Sequence, residues 1–146
     1  MASNKSSTLK NGDLVQVTIE KVAHGGHFIA RHEGAVIFVR HAIPGENCTI
    51  QITSIGKSFN RADVVSVETP SEFRVVAPCS FAHRNGCGGC DFQHISVAHQ
   101  RTLKSDVITE QFARIAKIDL QIDVEEVDES IHWRTRAIAT TDRNGK

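Results

Sequence analysis

From Asp13 to Thr69 the apolar residues recur with a period of two, and no window carries helical spacing. In Asp13-Leu-Val-Gln-Val-Thr-Ile-Glu20, Val15, Val17 and Ile19 fall on one face and Gln16, Thr18 and Glu20 on the other. That is the pattern of a half-buried strand. After Gly25-Gly26, residues Phe28 to Ala30 read as a short second strand. Glu33-Gly34 signals a turn. Ala35-Val36-Ile37-Phe38-Val39 is a continuous apolar run, short enough for a buried strand, which places Phe38 in the core. Pro44-Gly45-Glu46 turns the chain again. Residues 47–55 alternate, with Cys48, Ile50 and Ile52 sharing a face, so Cys48 acts as a small core hydrophobe. Gly56-Lys57-Ser58 turns, and Arg61 to Glu68 forms a last strand.

Five short strands in about 55 residues predict a small barrel of the oligonucleotide-binding type over residues 11–69. Residues 1–10 are polar and read as a disordered lead. Thr69-Pro70-Ser71 marks a boundary, and residues 70–95 form a cysteine-rich segment in which Pro70 and Pro78 bracket an extended piece. Ser96 is the expected N-cap of a helix that ends near Lys117. Its Leu103, Val107, Ile108, Phe112 and Ile115 make a broad apolar face. Leu120, Ile122 and Val124 alternate with acidic or polar residues and predict an edge strand; Arg134 to Thr141 predicts another. Residues 96–146 thus read as a helix plus the start of a second β domain, which makes the chain mainly β with an α+β tail. Asn144-Gly145 is a strong hairpin signal with only Lys146 after it, so the chain reads as the front of something longer.

Charge narrows the function classes. Lys plus Arg and Asp plus Glu both number 17, so the net charge is zero. Any nucleic-acid binding must therefore use local patches. No apolar run approaches the roughly 20 residues that span a bilayer, and Met1 to Lys10 lacks the apolar core of a signal peptide. A cytoplasmic, monomeric protein without a membrane partner is expected.

Three of the four cysteines lie within Cys79-Ser-Phe-Ala-His-Arg-Asn-Gly-Cys87-Gly-Gly-Cys90. Gly88-Gly89 lets the backbone fold tightly enough for two sulfurs to face one centre. In a reducing compartment such a trio favours metal binding over a disulfide. A thiol redox pair is disfavoured because no βαβ pattern surrounds it. Zinc would take a fourth ligand from His83, His94 or His99. An iron–sulfur cluster would take a fourth cysteine from elsewhere. Ligand counting leaves both open.

Arg31-His32-Glu33-Gly34-Ala35-Val36-Ile37-Phe38-Val39, followed by Ala42-Ile43-Pro44-Gly45-Glu46, resembles the TRAM domain, a five-stranded RNA-binding barrel. Arg74-Val75 through Cys79, then Cys87-Gly88-Gly89-Cys90-Asp91-Phe92-Gln93-His94, with Gln100 and Lys104, resembles the iron–sulfur segment of the RNA 5-methyluridine methyltransferases. His132-Trp133-Arg134-Thr135-Arg136 is similar to the strand that opens that family's central domain. The resemblance implies a [4Fe–4S] cluster on Cys79, Cys87 and Cys90, with a fourth cysteine beyond residue 146. The seven-residue gap between Cys79 and Cys87 is longer than is usual in that family. S-adenosylmethionine would enter only through a catalytic domain that residues 1–146 do not contain, so no residue here takes a catalytic role.

The expected partner is ribosomal or transfer RNA rather than DNA. The expected contacts are Arg31, His32, Arg40, Lys57 and Arg61, with Phe28, Phe38 and Phe59 as aromatic candidates. The competing reading is a non-catalytic RNA-binding module whose Cys3His zinc site is completed by His94 or His99.

Overall fold

A computed structural model describes residues 8–127 and 135–136. It divides the chain into two compact units, one ending at Arg74 and the other beginning at Val75.

The first unit is a closed barrel of β1 (Leu14–Ala23), β2 (His27–His32), β3 (Ala35–Arg40), β4 (Asn47–Ser54) and β5 (Asn60–Thr69). The strands run around it in the order β1-β2-β3-β5-β4. Every pairing is antiparallel except that of β3 with β5. The alternating residues explain the closure. Val17 and Ile19 from β1, Phe28 and Ala30 from β2, and Cys48, Ile50 and Ile52 from β4 all turn inward and are buried. Each large aliphatic or aromatic side chain so buried contributes about 1.5–3 kcal/mol.

The β2–β3 connection follows from its residues. Glu33 and Gly34 have φ of 49° and 83°. Two successive positive φ values make the tight turn whose twist matches a hairpin.

Four of the five strands, all but β4, are longer than the sequence suggested. β1 continues to Ala23 through a register shift between Ile19 and Lys21 that brings Val22 and Ala23 back to the core. β3 requires a correction. Its apolar run is not buried on both faces: Ala35, Ile37 and Val39 are inside, whereas Val36 and Phe38 are half-buried on the outside. Phe38 is therefore not a core residue.

Behind the barrel wall lies a polar knot. Glu46, in the turn before β4, is fully buried. Its carboxylate accepts hydrogen bonds from the backbone N–H of Ile43 at 2.9 Å and of Ser71 at 3.1 Å. Arg74 grips it with Nε at 2.6 Å and Nη2 at 2.7 Å, and Nη2 also donates to the His41 carbonyl at 2.9 Å. Burial alone would raise the Glu46 pKa. The Arg74 hydrogen bonds, the two backbone donors and the guanidinium charge outweigh it and hold the carboxyl below its ordinary value. The neighbouring Cys48 thiol is pushed up to about 12, first by burial and then by the Glu46 charge. It stays protonated at neutral pH.

In the second unit, Ser96 does cap a helix, α1 (Val97–Gln111), although its side chain makes no capping bond. Gln100 holds the entry instead, donating from Nε2 to the carbonyls of Phe92 at 3.0 Å and Ile95 at 2.9 Å. The last turn widens to π geometry over Phe112–Ala116 and stops at Lys117, a left-handed residue with φ of 60°. Of the expected apolar face only Leu103 is buried; Phe112 and Ile115 are 40% and 71% exposed.

Residues 117–127 form no strand, contrary to the expectation for Leu120 to Val124. Val124 N–H donates to Ser105 Oγ at 3.1 Å, so this stretch bonds to the helix rather than to a neighbouring strand. The expected strand at 134–141 and the turn at Asn144-Gly145 lie outside the described residues, apart from Thr135 and Arg136. No helix among the described residues is long and apolar enough to cross a membrane.

Candidate nucleic-acid interface

The outward residues of β2 are His27, Ile29 and Arg31, and those of β3 are Val36, Phe38 and Arg40. In register, Ile29 lies beside Phe38 and Arg31 beside Val36. β5 adds Arg61 next to Phe38. The loop between β4 and β5 supplies Lys57 and Phe59, both exposed. This is the face, with its flanking β1–β2 and β4–β5 loops, that barrels of this type use for oligonucleotides.

Four side chains close a ring there. Phe38 meets Phe59 edge to face at 4.8 Å between centroids, and His27 meets Phe38 the same way at 6.1 Å. The Arg61 guanidinium lies 5.6 Å above the Phe59 ring. It is also 3.3 Å, Nη1 to Nε2, from His27. His27 Nδ1 sits 2.9 Å from the Gly25 carbonyl, which can only accept. The proton is therefore on Nδ1, leaving the Nε2 lone pair to accept from Arg61. The loop itself is held from behind: Asn60, buried, accepts the Gly56 N–H at 3.3 Å. A Cβ at Gly56 would come within 2.5 Å of the Phe59 carbonyl oxygen, so glycine is required for that approach.

The expected basic contacts divide. Arg31 is ion-paired with Glu20. Arg40 makes a two-pronged pair with Asp63, at 2.8 and 3.0 Å. Both guanidinium groups are thereby ion-paired within the protein while remaining 55% and 41% exposed. Arg61 and Lys57 make no ion pair among the described residues. His32 is half-buried at the end of β2. Phe28 is fully buried and cannot meet a base. Sequence reasoning missed His27 and misassigned Phe38. Strict alternation through the β3 run would have turned Phe38 outward, because Ile37 and Val39 take the inner positions.

The cysteine segment is a run of tight turns. Cys79 N–H donates to Gln93 Oε1 at 3.1 Å, which ties the first cysteine to the end of the motif. Cys87 Sγ accepts the Gly89 N–H at 3.5 Å. Cys79, Cys87 and Cys90 are all free thiols, the last two exposed. Their soft sulfur chemistry and the Gln93 tether suit a thiolate-bound metal. Among the described residues, however, no three His, Cys, Asp or Glu side chains are gathered as a metal site. The donors fit in kind; they are not assembled into a cage.

The TRAM domain family matches residues 9–65, the span that contains the barrel's first four strands and most of β5. The barrel is a TRAM domain. The chain is also homologous to proteins named as RNA methyltransferases. One, an uncharacterized RNA methyltransferase of Streptomyces coelicolor, is 48% identical over 108 residues, covering 72% of this chain and 24% of that protein. Another, of Corynebacterium efficiens, is 36% identical over 148 aligned positions, covering 100% of this chain and 35% of that protein. A 23S rRNA (uracil(1939)-C(5))-methyltransferase of a Shewanella species is 37% identical over 131 residues, covering 88% of this chain and 29% of that protein. The chain with its TRAM domain thus spans about a quarter to a third of the length of these curated relatives.

Proposed function

We propose that this chain is the RNA-gripping part of an RNA uracil-5 methyltransferase acting on ribosomal or transfer RNA. The observation that carries the reading is the match of 88% of the chain, barrel and cysteine segment together, to a protein named for uracil-5 methylation of 23S rRNA. The TRAM barrel would hold RNA on its β2–β3 face. The methyl donor, S-adenosylmethionine, would be bound outside residues 1–146. Deleting the gene and digesting rRNA and tRNA with a base-specific ribonuclease to fragments that can be mapped tests this directly. One 5-methyluridine position should vanish by mass spectrometry and return when the gene is restored. Unchanged 5-methyluridine at every site would sink the proposal.

The same reading takes Cys79, Cys87 and Cys90 as ligands of a [4Fe–4S] cluster. Such a group would supply a structural pin joining separated points of the chain. Supporting it are the three free thiols, the backbone tether from Cys79 to Gln93 and the N–H donated to Cys87 Sγ. Protein purified without oxygen should be brown and contain iron and sulfide, and Cys87→Ser should lose both. A colourless protein with one zinc per chain would favour the Cys3His alternative.

A further inference from the structure

We propose that Gln93, clamped by Gln100, is a positioning residue for the cysteine site: neither glutamine is a ligand, and together they fix the backbone that carries Cys79. The inference rests on the reading of the three cysteines as metal ligands and deepens it, by naming what orients one of them.

The bonds run outward from the helix. Gln100, in the first turn of α1, donates from Nε2 to the carbonyls of Phe92 and Ile95 at 3.0 and 2.9 Å. Those carbonyls stand at the two ends of one turn, which the Ile95 N–H closes onto the Phe92 carbonyl at 3.0 Å. The turn is held from two further directions. Ile95 is 1% exposed, and the Val75 N–H donates to the His94 carbonyl at 3.0 Å. Gln93 occupies a central position of this anchored turn. Its Oε1 accepts the Cys79 N–H at 3.1 Å, across 14 positions of the chain. The Cys79 carbonyl is used as well, by the Ala82 N–H at 3.1 Å. Both backbone polar groups of Cys79 are therefore bonded, and the direction of its Cα–Cβ bond is set by that backbone.

The arrangement matters because of where the cysteines stand. Cys87 and Cys90 are exposed and close in sequence, whereas Cys79 is half-buried and reaches them only if the intervening loop is closed. Closing a loop costs conformational entropy. A tether across its base removes part of that cost from the binding step. Partners that orient a ligand without touching the metal are worth about 10–100-fold in metal affinity. Glutamine suits the task because it supplies an acceptor without placing another anion beside the thiolates.

The test uses the full 146-residue chain, purified without oxygen, in its original form and as Gln93→Leu, Gln93→Glu and Gln100→Ala. Leucine accepts no hydrogen bond; a carboxylate accepts the same N–H. The first readout is hydrogen exchange at the Cys79 amide, by mass spectrometry after chelator treatment, so that metal loss cannot account for a difference. Exchange should be about ten-fold faster in Gln93→Leu and Gln100→Ala, the worth of one hydrogen bond, and unchanged in Gln93→Glu. The second readout is release of the bound metal to chelator from protein as purified. It should be about ten-fold faster in Gln93→Leu and return close to the original in Gln93→Glu, a rescue that loss of packing would not give. The melting transition of the barrel should stay in place throughout, because that unit ends at Arg74. Unchanged exchange in Gln93→Leu overturns the tether, and unchanged exchange in Gln100→Ala overturns the clamp. Faster exchange with unaltered metal release overturns the positioning role and leaves the three ligands standing. An original protein that holds no metal overturns the ligand reading and, with it, the role of Gln93.

Discussion

Replacing Arg74 by methionine should cost the barrel about 3–5 kcal/mol, the usual consequence of leaving one member of a buried ion pair without its partner. Glu46 is fully buried and Arg74 is its only charged donor among the described residues, so the variant retains an anion with two backbone N–H groups and, among those residues, no countercharge. Against a total stability of about 5–15 kcal/mol, this takes a large share. The pH dependence gives an independent readout. Glu46 has a lowered pKa in the folded state, so its contribution is complete above the ordinary glutamate range. It falls below about pH 4.3, the unfolded value, and is gone once the pH passes the lower folded value. In Arg74→Met the burial penalty acts with much less opposition, and protonation relieves it. The gap between the two proteins in urea denaturation should therefore be widest at neutral pH and narrow in acid. A constant gap across that range would show that Arg74 acts through packing of its stem and not through its charge. Replacing both residues at once, Glu46→Leu with Arg74→Met, should recover much of the loss.

The second large effect lies in the cysteine segment. Gly86 sits where a Cβ would collide with the Phe81 carbonyl oxygen and lie 2.9 Å from that of His83. Both obstacles are backbone atoms of the turn that Gly86 itself closes, through its N–H to His83 at 2.9 Å and that of Cys87 to Phe81 at 3.3 Å. Gly86→Ala must open this turn, at about 1–3 kcal/mol for overpacking, and carry Cys87 with it. Gly89 makes the control, since a Cβ there meets Cys87 Sγ at an ordinary 3.6 Å. On the proposed reading of the three cysteines as metal ligands, Gly86→Ala should lose most of the metal that the original protein binds and become sensitive to protease at the loop. Gly89→Ala should stay close to the original, and the barrel transition should remain in place for both, because that unit ends at Arg74. Equal metal content in the two variants would contradict the role assigned to Gly86.

Much of the barrel was legible because alternation is a local signal. Cys48, Ile50 and Ile52 were assigned to the core from their spacing, and all three are buried. Glu33-Gly34 was read as a turn and carries the two positive φ values that such a turn needs. Ser96 and Lys117 bound the helix as its residues suggest. The failures share a cause. Glu46 reads in sequence only as the last residue of the Pro44-Gly45-Glu46 turn, because its partners Ser71 and Arg74 stand 25 and 28 positions away. The cluster of His27, Phe38, Phe59 and Arg61 gathers residues from two neighbouring strands, a loop and a distant strand, so only the register reveals it. Leu120 to Val124 has the alternation of a strand, but a strand also needs an edge to pair with, and alternation cannot supply one.

The placement of β5 has a consequence for the order in which the chain is made. This strand pairs with β4 along one side and, in parallel, with β3 along the other. Until Asn60–Thr69 has been synthesised, β3 and β4 each present an open edge and the cylinder stays unsealed. Closure therefore waits for long-range pairing, which is slow relative to local hairpins. Sealing coincides with the arrival of Ser71 and Arg74 at Glu46, so the latch emerges from the ribosome directly behind the strand it secures. Every contact that seals this unit is thus made by residues up to Arg74, ahead of Cys79, Cys87 and Cys90 in the chain.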